Sequence, residues 1–191
     1  MQGRITALLA GSKGLIMKVH PRTPKPPVIR DALPADIAGI MRLKMELAIS
    51  DEIVDTVRAT AADWERDAFG PDARFTIFVA DDAGRVTGMA ICTDRYFPGW
   101  VGANIALLDL CVEANCRGRG IGTALLARVG AYARSRGAAM IELTMRTGNR
   151  AAHLYERAGF VDVAEVRNYV IAGDALERLG APAAPPRRRA L

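Results

Sequence analysis

Residues 107–123 read Leu107-Leu108-Asp109-Leu110-Cys111-Val112, a four-residue spacer, then Arg117-Gly118-Arg119-Gly120-Ile121-Gly122-Thr123. The first block is an apolar strand, the second a glycine-rich turn, and the residues after Thr123 are amphipathic with helical spacing. Glycines let successive backbone N–H groups point into one concavity, and a helix N-terminus adds about half a positive charge. Together they make a cradle for a pyrophosphate, with the guanidinium groups of Arg117 and Arg119 close by. The plainer alternative is a basic surface turn that merely starts a helix. Glycine at three of the five positions 118–122 carries a backbone-entropy cost that such a turn does not require. A Walker loop needs Lys-Ser/Thr after its last glycine, and Gly122 is followed by Thr123 with no lysine. A dinucleotide fingerprint sets G-x-G-x-x-G directly on the strand end, whereas here R-x-x-G-x-G comes after a spacer.

The elements that must position this loop can be read from hydrophobic periodicity. Residues 28–30 form a short strand, and Pro34 opens a helix with Ile37, Ile40, Met41 and Leu47 on one stripe. Thr60 and Asp63 form a capping box for a second helix running through Trp64 and Phe69. Strands at 75–80 and 85–92 flank the hairpin turn Asp81-Asp82-Ala83-Gly84. After the irregular segment 96–100 come a strand at 104–112 and a helix at 120–136. That helix turns Ile121, Leu125, Leu126, Val129 and Tyr132 inward and ends at Gly137. A strand at 140–144, a helix at 149–158 closed by Gly159 and a final strand region at 160–170 complete the series. The order β-α-α-β-β-β-α-β-α-β predicts an α+β fold around one mixed sheet.

At 191 residues the chain has room for one domain with short appendages. Residues 1–27 carry +5, residues 172–191 carry +2, and residues 28–171 carry −2, so the net +5 belongs to the ends. That distribution argues against a nucleic-acid-binding fold. Residues 1–27, with Pro21, Pro24, Pro26 and Pro27, read as an extension and linker in which Met17 is a second possible start. Residues 28–171 read as the domain. Residues 172–191 read as a flexible tail, its Arg187-Arg188-Arg189 solvated rather than a site for an anionic partner. Cys92, Cys111 and Cys116 are too few for a disulfide framework and none has C-x-x-C spacing; with His20 and His153 alone, no metal site is expected. A reducing cytoplasm fits this cysteine usage. No apolar run approaches the ~20 residues of a membrane-spanning helix.

Arg117, Gly120 and Gly122 match in register the Q/R-x-x-G-x-G/A signature of the GNAT superfamily of N-acetyltransferases, which this sequence resembles. A second feature of that family, a helix like Ala-x-x-Leu-Tyr-Glu ending in Gly-Phe, is similar to residues 151–160, with Leu154-Tyr155-Glu156 and Gly159-Phe160. The resemblance covers residues 28–171. It implies a mixed sheet splayed into a V, flanked by about four helices, with acetyl-CoA in the gap. Backbone groups of Leu110, Cys111 and Val112 would hold the pantetheine arm. Arg117, Gly118, Arg119, Gly120, Ile121, Gly122 and Thr123 would hold the pyrophosphate. The implied reaction is direct attack of a primary amine on the thioester, with the Cys111 N–H facing the oxyanion and Tyr155 protonating the departing thiolate. The alternative for Tyr155 is a tyrosine packed on the sheet. A homodimer is also implied by likeness to family members.

An alkyl ammonium has a pKa near 10, so attack requires a base. Asp109 lies two residues before Cys111, so both side chains face one side of the strand. Some family members use an aspartate there as the base. A structural ion pair and water-mediated deprotonation stand beside that reading, with Glu113 and Glu142 as further candidates. In many relatives an asparagine contacting CoA lies seven residues before the tyrosine; here Gly148 stands at that position and Asn149 one residue later. Asn149 is therefore either a cofactor contact or a helix cap. Cys111 has no histidine partner that would make it a nucleophile, and His153 reads as a helix-surface residue.

Seven acidic residues fall between Asp51 and Asp72 against only Arg58 and Arg66, a distribution able to draw a cationic amine; a solvated helix face is the alternative. Residues 63–70, 96–100 and 108–110 are also similar to the spermidine/spermine branch of the superfamily. They depart from it where that branch has a glutamate and this chain has Leu108. Small-amine, polyamine, aminoglycoside and protein amine acceptors are all compatible with these residues. A non-catalytic CoA-binding or sensory module is the competing reading; Tyr155 and Asp109 argue against it.

Overall fold

A computed structural model describes residues 26–96, 103–163, 165 and 170–180. The chain divides into two units, residues 1–144 and 145–191. The first contains β1 (Val28–Asp31), α1 (Ile37–Ser50), α2 (Ala61–Phe69), β2 (Thr76–Asp82), β3 (Arg85–Arg95), β4 (Asn104–Val112), α3 (Ile121–Ser135) and β5 (Ile141–Leu143). The strands lie in sequence order, β1 to β4 antiparallel and β5 parallel to β4. This is the expected α+β arrangement around one mixed sheet.

The local signals explain the element starts. Pro34 occupies a single 3-10 turn ahead of α1, where its missing N–H is not needed. The Thr60–Asp63 capping box opens α2, with Thr60 N–H donating to Asp63 at 2.8 Å and Asp63 N–H to the Thr60 hydroxyl at 3.3 Å. Strand alternation then sorts the two faces. One buries Ile77, Val79, Met89, Ile91 and Cys111 against Ile37, Ile40 and Leu43 of α1 and Trp64 of α2. Each such large side chain contributes about 1.5–3 kcal/mol by leaving water. The other face meets α3: Phe78 packs edge-on to Tyr132 at 5.7 Å, and Arg128 stacks 4.2 Å over the Phe78 ring. Gly88 permits the close approach of α3, since a Cβ there would sit 3.1 Å from both Ile121 and Leu125 side-chain carbons.

The ladder between the last two strands of the sheet is short. β5 pairs with β4 only at Ile105–Ile141, Ala106–Glu142 and Leu107–Leu143. At that point β4 carries a bulge: Ile91 of β3 faces Asp109 and Cys92 faces Leu107, so Leu108 is the extra residue. Among the described residues, the edge of β4 turned towards β5 has no strand partner from Leu108 to Val112. A ladder that stops at Leu107 is compatible with the splayed sheet that the sequence resemblance implies.

In the second unit, α4 (Ala152–Arg157) and α5 (Asp174–Gly180) are helical. Of the final strand region expected at 160–170, residues 164 and 166–169 lie outside the described residues, and none of the described ones is in a strand. Val161 and Val163 are exposed, and alternating valines form a strand only where a neighbour supplies a ladder. The stretch 172–191, expected as a flexible tail, includes α5. Residues 1–25, 97–102 and 181–191, on which the linker, the irregular aromatic segment and the arginine run were placed, lie outside the described residues apart from Tyr96 before them. No helix among the described residues is long and apolar enough to cross a membrane.

Candidate active site

The loop between β4 and α3 takes the conformation that its glycines allow. Gly118 and Gly120 have φ of +76° and +78°, the left-handed region where L side chains are strained. A Cβ at either position would meet no atom within 4 Å, so the space above the loop is open. Gly120 is the N-cap of α3 and no side chain caps that end. Among the described residues, the amides of 118–122 donate to no backbone acceptor, and the first intrahelical bond runs from Ala124 to Gly120. A fifteen-residue helix thus presents an uncapped positive end to an open, amide-lined hollow. A diphosphate fits that donor set.

The two arginines of the loop are only loosely tied. Arg117 Nε donates to Val112 O at 2.9 Å while its Nη2 lies 3.8 Å from Glu46. Arg119 lies 3.9 Å from Asp82. Glu46 also accepts from Ala114 N–H at 3.0 Å, which fastens α1 to the entrance of the loop.

The register of β4 determines which amides face the gap. Glu113 N–H donates to Thr87 O of the neighbouring chain segment at 2.9 Å. Residues two apart point their amides the same way in an antiparallel ladder, so the Cys111 amide is turned to Met89 on β3. Leu110 and Val112 present theirs to the open edge. An oxyanion donor on this edge is therefore the Leu110 amide, not the Cys111 amide named from the sequence.

Asp109 and Cys111 share the α1 face of the strand. Both Asp109 oxygens accept from Lys44 Nζ, at 2.9 and 2.7 Å. Glu113 is buried and paired with Arg42 at 3.1 Å and with Arg85. Glu142 pairs with Arg95 at 2.7 Å. Burial pushes the Cys111 thiol up to about 11, with the Glu46 carboxylate adding to the effect, so it stays protonated at neutral pH. Such a thiol is a small apolar side chain rather than a nucleophile.

In the second unit, Tyr155 is buried on α4 with its ring edge-on to Phe160 at 5.6 Å. Asn149 Oδ1 accepts from Ala151 N–H at 2.9 Å, an Asx turn ahead of α4 rather than the helix cap, since the N-cap is Ala151 and carries no side-chain bond. His153 is exposed and lies 3.4 Å from Glu156. Sequence reasoning missed Lys44, Arg42 and Glu46. Lys44 carried a signal: it stands four residues after Ile40 and three before Leu47, on the apolar stripe, where a charge needs a partner. A separate cleft, lined by Phe69, Phe75, Thr93, Asp94 and Tyr132 among others, opens at the far end of β2 and β3 from the glycine loop.

Comparison with known proteins agrees with this geometry. The sequence profile of the Acetyltransferase (GNAT) family matches residues 42–160, more than half of the chain. A thialysine N-epsilon-acetyltransferase of Bos taurus is 29% identical over 151 residues, covering 74% of this chain and 88% of that protein. A spermidine/spermine N(1)-acetyltransferase-like protein 1 of Homo sapiens is 34% identical over 108 residues, 53% of this chain and 15% of that protein. Among solved structures, an integron cassette protein from the mobile metagenome of V. cholerae superposes with a TM-score of 0.66 at 20% identity, covering 80% of this chain and 96% of that one. It shares the fold.

Proposed function

The chain belongs to the GNAT family and is an N-acetyltransferase, and from that premise we propose that it acetylates a small primary amine by direct attack on the thioester of acetyl-CoA. The observation that carries this reading is a continuity. The edge of β4 from Leu108 to Val112, without a strand partner among the described residues, is followed after the turn at 114–116 by the uncapped glycine loop at 118–122. One surface binds an extended arm and then a diphosphate.

Acetyl-CoA would supply an activated acyl group with a thiolate leaving group. The Leu110 carbonyl and the Val112 amide would bind the pantetheine arm, in the manner of an added strand. The amides of Gly118, Arg119, Gly120, Ile121 and Gly122, with Thr123 in the first turn of α3, would hold the diphosphate; Arg119, tied only by a 3.9 Å contact to Asp82, and the Nη2 end of Arg117, 3.8 Å from Glu46, add charge. The Leu110 N–H faces the carbonyl oxygen as negative charge develops. Asp109 takes the proton from the acceptor ammonium, directly or through water, and Tyr155 gives its phenolic proton to the leaving sulfur. Asn149 keeps its amide nitrogen for the cofactor while its oxygen holds the turn ahead of α4. The catalytic unit spans 28–171, acts in the cytoplasm and forms a homodimer, which sedimentation of the full chain tests.

The acceptor is assigned to small amines because the relatives' names say thialysine and spermidine/spermine. The test is CoA release against a panel of monoamines, polyamines, aminoglycosides and lysine peptides. Turnover with a small amine above the hydrolytic background is expected. Tight CoA binding without release on any amine would instead establish a non-catalytic CoA-binding module.

A further inference from the structure

The ion pair between α1 and β4 bears on acceptor choice. Asp109 stands on the stretch of β4 that β5 has left, and both its oxygens are held by one ammonium at 2.9 and 2.7 Å. The pair is largely withdrawn from water, the Lys44 and Asp109 side chains being 24% and 16% exposed. A cation on the core-facing stripe of a helix requires such a partner, and the consequence for the site is that its carboxylate arrives already paired. Two further features point the same way. The acidic stretch that could draw a polycation is partly engaged within α2 itself: Asp63 is bound by Thr60 and Arg66, and Asp67 by Arg66 and Arg74. Beside Asp109, the exposed residue is Leu108, not a second carboxylate.

We propose that Lys44 is a specificity-determining residue, which occupies Asp109 as its counter-ion so that this carboxylate offers no anchor to a second ammonium and the acceptor is an amine with a single positive charge. A second ammonium on the acceptor would have to displace Lys44 from Asp109 to gain a counter-ion there. The inference deepens the function proposed above and rests on it, since it concerns the acceptor side of the same β4 edge.

The experiment compares n-butylamine with 1,4-diaminobutane, matched in length, on the full chain and on Lys44→Gln and Lys44→Arg. The parent should favour the monoamine at least tenfold in kcat/KM. Lys44→Gln keeps a hydrogen-bond donor for Asp109 but loses the charge, and should move the ratio at least tenfold towards the diamine, about 1.4 kcal/mol. Lys44→Arg should restore the parental ratio, which a merely structural role would not produce. A smaller change in Lys44→Gln, or a parent that favours the diamine, overturns the inference; if that variant does not fold, the parental ratio alone decides. If no amine supports CoA release, the function proposed above has failed. Calorimetric binding of the two amines to the CoA-loaded parent and Lys44→Gln then decides the charge selection, on the same tenfold criterion.

Discussion

Three groups carry the proposed reaction, and each has a distinct physical task. Asp109 holds a proton-accepting carboxylate in place through Lys44, Tyr155 offers a phenolic proton from a buried position on α4, and the Leu110 amide supplies a neutral donor. Tyr155→Phe removes the proton and keeps the ring, so its contact with Phe160 survives. Turnover should fall about 10–1000-fold while acetyl-CoA affinity holds, measured by steady-state kinetics beside equilibrium titration. Equal turnover in variant and parent would take Tyr155 out of the mechanism. Cys111 has no comparable task, because burial leaves it a neutral thiol at working pH.

At the scale of elements, the cradle is a matter of backbone conformation. Gly120 and Gly137 both have positive φ, +78° and +64°, and both face open space. An alanine at either position should destabilise the fold by about 1–2 kcal/mol, read as a lowered Tm. Only Gly120→Ala should also weaken CoA binding, because only there does the new methyl enter the amide-lined hollow; equal CoA affinity in the two variants would place the cofactor elsewhere. Leu43→Ala, on the α1 face of the sheet, leaves a cavity in a fully buried site and should lower stability by about 2–5 kcal/mol in a denaturant titration. These elements were legible because their signals are local. Glycines at 118, 120 and 122, the Thr60–Asp63 box and the strand at 104–112 are written within a few residues each. What was not legible depends on partners far along the chain. Lys44 meets Asp109 across 65 positions, the amide of Cys111 is turned by its ladder with β3, and the valines at 161 and 163 find no ladder among the described residues.

For the whole molecule, one cluster ties the first strand to the first helix and the second strand. Arg30 reaches Asp36 at 2.6 Å and Asp81 at 3.0 Å, and the Leu33 amide donates to Asp36 at 2.7 Å. Hydrogen bonding from Arg30 holds the Asp36 carboxyl below its ordinary range. A carboxyl with a lowered folded-state pKa stabilises above its unfolded value, near 3.9, and that contribution is lost as pH falls further. Tm should therefore hold from neutrality down to about pH 4 and then decline, more shallowly in Asp36→Asn, which is already destabilised at neutral pH. A variant with the parental acid profile would remove Asp36 from the account. Above this scaffold, the central claim is that the β4 edge beyond Leu107 and the uncapped end of α3 form one binding surface for coenzyme A. Isothermal titration of the full chain with coenzyme A tests it most directly. One site per chain is predicted, with affinity lowered in Gly120→Ala and unchanged in Gly137→Ala; no heat of binding to the folded parent would contradict it.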